Sequence, residues 1–153
     1  MDDPKTFRGL QVMGLGHPGS DLRRELVDLV LAGTKTATAG LLVEYELDGW
    51  ELPHPGLGEA LIDVEGRFVG EIETTECRIL RMADVDAAFA HDEGEGFAHA
   101  ADWRAAHERF WSGEVEGFRT RLNDPTWSLT AETRIVCQRF RLVTRYPEPI
   151  GPD

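Results

Sequence analysis

Asp21-Leu22-Arg23-Arg24-Glu25-Leu26-Val27-Asp28-Leu29-Val30-Leu31-Ala32-Gly33-Thr34-Lys35-Thr36-Ala37-Thr38 changes its period in the middle. Leu22, Leu26, Leu29 and Val30 recur at three- and four-residue spacing, which predicts a helix over Asp21 to Ala32 with one buried stripe. Ser20 stands as the N-cap, Asp21 and Glu25 place negative charge in the early turns, and Gly33 ends the helix. From Thr34 to Tyr45 the chain is rich in Thr, Leu and Val, which predicts a strand, and Asp48-Gly49 then offers a hairpin turn. A loop with Pro53, Pro55, Gly56 and Gly58 leads into a strand over Ala60-Leu61-Ile62-Asp63-Val64. Glu65-Gly66 turns it into a second strand, Arg67–Glu76, which Cys77-Arg78-Ile79-Leu80 extends. Ile72 and Cys77 differ in parity, so a bulge is expected near Thr74 or Thr75.

Upstream, Gly14-Leu15-Gly16-His17-Pro18-Gly19 spells GxGxxG before the helix. A dinucleotide site needs that motif between a buried strand and its helix, inside a parallel sheet. Phe7 to Met13 reads as a poor buried strand, and the strands beyond Thr34 turn by hairpins, so the context fails. Downstream, Asp84 is expected to cap a short helix through Phe89, and His91-Asp92-Glu93-Gly94-Glu95-Gly96 to form an acidic loop. A helix over Ala98 to Trp111 puts Trp103, His107, Phe110 and Trp111 on one face. Asn123-Asp124-Pro125 breaks the chain, and Arg134 to Val143 alternates as a closing strand. Five or so strands with two or three helices predict an α+β fold, a small mixed or antiparallel barrel or rolled sheet with flanking helices. The domain is expected over 7–146, with 147–153 a Pro-rich tail that does not pair in a sheet.

At 153 residues the chain fits one domain. Sixteen Lys and Arg against twenty-eight Asp and Glu give a net charge of −12. Tight, sequence-independent binding to a phosphate backbone rests on counterion release at a basic surface, so a long nucleic-acid track is disfavoured. No apolar run approaches the ~18 residues of a membrane helix. Met1-Asp2-Asp3-Pro4-Lys5 carries no export pattern, and Cys77 and Cys137 are too few for a disulfide framework; a cytoplasmic location is the expectation. His17, His54, His91, His99 and His107 have no metal-binding spacing, and no metal or cofactor is expected.

The chemistry-bearing cluster is Gly33 to Thr38, where a lysine and hydroxyls can converge on one face of an extended segment. Lysine acts as an acid or base only where burial lowers its pKa, whereas the negative end of the helix at Ala32 favours the charged form. The Gly-flanked carboxylates Glu93 and Glu95 are held by backbone in a loop, which suits a binding or catalytic group.

Together these residues resemble the ASCH domain, a relative of the PUA domain. The G-x-K-x-x-T core at Gly33–Thr38 carries the resemblance. So do the Asp48-Gly49 turn, Glu71–Glu76, His91–Gly96, Trp103-Arg104-x-x-His107-Glu108-Arg109-Phe110 and Val136–Phe140. The resemblance implies a PUA-like β-barrel with a cleft beside the lysine-bearing loop. A small bacterial member hydrolyses the amide of N4-acetylcytidine with a lysine and threonine of K-x-x-T and a downstream glutamate. By motif these correspond to Lys35, Thr38 and Glu95, with Glu93 the fallback. Two mechanisms stay open: Thr38 as nucleophile with Lys35 as its base, or Glu95 activating water while charged Lys35 stabilises the oxyanion. Thr36, Glu93, Tyr45, Trp50, Trp103 and Arg139 are the candidate substrate contacts. The expected partner is a small nucleoside or nucleobase. The rival reading is an RNA-binding or RNA-cleaving module, taking single-stranded RNA on Arg134, Arg139 and Arg141.

Overall fold

The computed structural model describes residues 2–152. The Leu/Val stripe forms helix α1 over Asp21–Leu31, with the Ser20 side chain accepting the Arg23 N–H at its start. Gly33 leaves the helix at φ +79°, in the left-handed region open to glycine, and the amides of Thr34 and Lys35 both fold back onto the Leu29 carbonyl. The chain therefore reverses within three residues and enters strand β3, Ala37–Leu41, shorter than expected.

The other strands are β1 (Thr6–Phe7), β2 (Leu10–Met13), β4 (Gly58–Ile62), β5 (Phe68–Arg81) and β6 (Arg134–Ile150). They form one mixed sheet in the order β1-β2-β4-β5-β6-β3. Only β2 and β4 are parallel. The α+β class holds, but the sheet is open, with β1 and β3 at its edges; closure into a barrel is not observed. The expected irregularity is present, as a register shift between Thr74 and Glu76. Helices α2 (Leu42–Asp48), α3 (Ala87–Asp92), α4 (Ala100–Ser112) and α5 (Val115–Leu122) complete the fold. Trp103, Trp111 and Phe118 from α4 and α5 pack with Phe89 and Ile135 into one core, while α1 lays Leu26, Val27 and Val30 on Ile72 and Phe140 in another.

Several expectations are corrected. Asp48-Gly49 is a helix end, not a hairpin: Leu42–Asp48 coils so that Val43 and Leu47 pack on the core, and Gly49 closes it at φ +69°. A left-handed glycine serves a helix C-terminus as readily as a hairpin turn, so the dipeptide alone does not distinguish them. The cap of α3 is Asp86, which accepts the Phe89 N–H, while Asp84 closes a 3-10 turn over Met82–Asp84. Phe7 to Met13 is a β1–β2 hairpin that buries Phe7 and Met13 at the sheet edge. The Pro-rich end joins β6. Arg145 pairs with Gly70 and Ile150 with Phe68, across a register shift that leaves 146–149 outside the paired register, so Pro147 and Pro149 need donate nothing to the ladder. Helix α5 has no counterpart among the expected elements. Among the described residues, no helix is long and apolar enough to cross a membrane.

Candidate functional site

Two backbone segments some sixty positions apart are stitched together beside α1. The Thr36 amide and hydroxyl both donate to the Asp92 carbonyl, at 2.9 and 3.2 Å. Gly94, at φ +72°, packs so closely that a Cβ there would press into the Thr34 carbonyl and the Lys35 Cα. The Lys35 side chain, 2% exposed, donates to the Glu93 carbonyl at 3.2 Å and to Glu95 Oε2 at 3.0 Å. An ammonium has three N–H groups, so one remains for another acceptor.

Glu93 is held from the other side. Its carboxylate is 1% exposed, and Oε2 lies 3.3 Å from Nε2 of His107. Nδ1 of His107 donates at 2.8 Å to the Trp103 carbonyl; since a carbonyl only accepts, Nδ1 carries a hydrogen. The imidazole stacks on the Trp103 ring, with centroids 4.2 Å apart. Glu93 thus supplies the site with a carbonyl, while its buried carboxylate lies against His107 of α4 with Oε2 meeting no hydrogen-bond donor among the described residues.

Lys35, Thr38, Glu93 and Glu95 line one cleft of about 930 Å³, together with Tyr45 and Trp50. Thr38 stands opposite Gln138 on β6. Gln138 is fully buried and donates to Glu59 Oε1 at 2.7 Å and to Thr74 Oγ1 at 2.9 Å. Thr38, Gln138, Thr74 and Glu59 therefore form a polar row across β3, β6, β5 and β4. Glu59 is 5% exposed; burial pushes its carboxyl above the ordinary carboxylate value, against the pull of bonds from Gln138 and Gln11. Burial also raises the Tyr45 phenol, with the Glu59 charge adding to it. Tyr45 meets the exposed ring of Trp50 edge-on at 5.5 Å, giving the cleft an aromatic wall.

The far end of the cleft is acidic. Burial, then the charges of Glu114 and Asp48, push Glu44 up to about 7, while Arg121 and His17 oppose the rise. Arg121 pairs with Asp48 at 2.6 Å. Among the described residues, no group of three or more His, Cys, Asp or Glu is arranged to hold a metal ion. Cys137, pushed up to about 12 by burial, is a thiol at neutral pH.

Three expected contacts lie elsewhere. Thr36 is exposed and tied to α3; it falls before the strand begins, so alternation with Thr38 does not carry back to it. Trp103 is 0% exposed in the α4 core and lines no part of the cleft. Arg139 follows Gln138 on β6 and so points from the opposite face, where it pairs with Asp92 at 3.3 Å and covers the Phe89 ring. Sequence reasoning overlooked Glu59 and Gln138. Each is a polar residue inside an otherwise apolar strand, Gly58-Glu59-Ala60-Leu61-Ile62 and Ile135-Val136-Cys137-Gln138, and that is the signal available.

The family model described as the ASCH domain matches residues 14–144. Protein EF3133 from Enterococcus faecalis V583 is 27% identical, with a TM-score of 0.78 over 93% of this chain and 81% of that one. An ASCH domain from Lactobacillus crispatus JV V101 is also 27% identical, with a TM-score of 0.67 over 79% of this chain and 72% of that one. The hypothetical protein PH0355, at 12% identity and a TM-score of 0.52, shares the fold. No curated protein matches.

Proposed function

The chain belongs to the ASCH domain family, with a PUA-like fold, and on that premise we propose that it is a small-molecule amidohydrolase that removes the acyl group from N4-acylated cytidine or cytosine. The observation that carries the reading is the pairing of buried Lys35 with partly exposed Glu95 at the wall of a cleft large enough for a nucleoside. Hydrolysis of an amide needs a base for the nucleophile, a donor for the oxyanion and a proton for the leaving nitrogen. Lys35 donates to a carboxylate and a carbonyl, an arrangement suited to an ammonium, and this favours Lys35 as oxyanion donor over Lys35 as base.

Glu95 then takes a proton from water as its oxygen attacks the acyl carbon, and the oxyanion faces the remaining Lys35 N–H. When the carbon–N4 bond breaks, the electron pair goes to N4 and Glu95 returns the proton there. Cytidine and a carboxylic acid leave. Thr38, on the strand edge beside Gln138, orients the attacking water. Trp50 and Tyr45 supply a stacking wall for the base, with each stack worth ~1–3 kcal/mol.

Charge supports a neutral substrate over RNA. Eight carboxylates and four Lys or Arg side chains line the cleft. Of the three arginines offered for RNA on β6, Arg139 is paired to Asp92 and Arg141 to Glu73. The test is a panel of N4-acylated cytosines and cytidines, followed by chromatography for loss of the acyl group. Turnover of at least one member is expected, with no acyl adduct on Thr38 by mass spectrometry. An adduct transfers the nucleophile's role to Thr38, and an unreacted panel ends the amidohydrolase reading.

A further inference from the structure

A glutamate with 5% exposure on a strand otherwise made of Gly, Ala, Leu and Ile needs a reason to be there. Glu59 faces the cleft, and its position is fixed. Both amide hydrogens of Gln138 are used, one on Glu59 Oε1 and one on Thr74 Oγ1, so the amide cannot rotate without losing a buried bond. Gln138 sits opposite Thr38, so one side chain separates the Glu59 carboxyl from that position, and both line the cleft that holds Lys35 and Glu95. The surrounding titratable groups, Tyr45, Glu51 and Cys77, bring no positive charge to it. Among the described residues Glu59 makes no ion pair, and the groups that bond it are the neutral amides of Gln138 and Gln11.

We propose that Glu59, held by Gln138 and Thr74, is the specificity-determining residue that reads the substrate ring, pairing its carboxyl with the adjacent N4–H and N3 of an N4-acylated cytosine. This rests on the amidohydrolase reading for the identity of the ring. An N–H beside a ring nitrogen presents one donor and one acceptor side by side. A protonated carboxyl offers the complement: its O–H donates to N3 and its other oxygen accepts from N4–H. A site built this way rejects analogues that lack the donor, because the buried carboxyl is then left without its partner.

The experiment measures binding by calorimetry in the Lys35→Ala protein, so that the ligand stays intact and recognition is read apart from turnover. The probes are N4-acetylcytidine and its N4-methyl analogue, which lacks the N–H. N4-acetylcytidine is expected to bind about tenfold more tightly than the methylated analogue. Glu59→Ala is expected to abolish that preference by weakening the N4-acetylcytidine complex about tenfold. Glu59→Gln, whose amide again offers a donor and an acceptor, recovers most of the loss. The ligand comparison needs no change at Glu59, so a poorly folded alanine variant leaves it decisive. Equal binding of the two ligands, an unchanged affinity in Glu59→Ala, or no binding of N4-acetylcytidine to either the wild-type or the Lys35→Ala protein overturns the proposal. An unreacted wild-type enzyme that still prefers the N–H ligand instead removes the amidohydrolase reading and leaves the ring-recognition role standing.

Discussion

Two buried cations border the same cleft and are treated in opposite ways. Arg23, in α1, spends four of its five N–H groups: two on the Asp3 carboxylate, at 2.7 and 2.6 Å, and two on the carbonyls of Leu15 and Gly16. Those four bonds tie the Gly14–Gly19 turn and Asp3 to α1, and an added Cβ at Gly14 would press on Asp3 and Arg23, so the GxGxxG spacing has a structural cause. Lys35 is as deeply buried but meets only one carboxylate oxygen and one carbonyl, and Glu95 stays partly open to solvent. A cation held by four bonds, two of them to one carboxylate, locks a loop, whereas one held by a carbonyl and a single carboxylate oxygen can turn to meet a substrate. Burial alone does not mark a site; how firmly the buried cation is held separates the two.

Substitutions at the two cations should therefore separate activity from stability. Lys35→Ala is expected to lower kcat/KM by about 10³-fold, the upper loss seen when one oxyanion donor is removed. A wild-type kcat in that variant would end its role. Arg23→Ala is expected to cost about 3 kcal/mol in urea unfolding, because it strands a partly buried Asp3 and two carbonyls. If the two variants lose equal stability, the contrast collapses.

Gly94→Ala sharpens it further, since the added methyl must push the Glu93–Glu95 turn off the Lys35 backbone. It should cost about 1–2 kcal/mol and lower kcat along with stability, whereas an active, unperturbed variant would mean that the two segments need not touch. Trp50→Ala, at an exposed ring, is expected to raise KM about tenfold while leaving the melting temperature nearly unchanged. The smallest effect belongs to the acidic end of the cleft. Glu44 binds its proton more tightly folded than unfolded, so between about 4.5 and 7 the native state holds more protons and stability falls as pH rises. Glu44→Gln should flatten that slope in melts taken across the window; an unchanged slope assigns it to another group.

Local signals in the chain were strong where one residue's neighbours in sequence are also its neighbours in space. The Ser20 cap, the α1 stripe and the bulge beside Thr74 needed only short-range periodicity and parity. The same reasoning misread Asp48-Gly49, because a left-handed glycine fits two structures and the packing of Val43 and Leu47 chooses between them. It misread the Pro-rich end because the partner strand for Ile150 lies far upstream, at Phe68. Thr36, Trp103 and Arg139 lie outside the cleft for a related reason: residue type and spacing say which groups share a face, not which face borders the cleft.

By itself, the sequence determined the helix that delivers Lys35, the chemical types in K-x-x-T, and the acidic Gly-flanked turn that holds Glu95. Those follow from capping, period and backbone freedom, which act within a few residues. Only the tertiary structure decided that Lys35 touches Glu95, that Gln138 stands opposite Thr38 and fixes Glu59, and that Arg23 is tied to Asp3. Such contacts depend on strand register and on the close approach of Gly94 to the Lys35 backbone, and register is set by the whole sheet finding burial for one face at once.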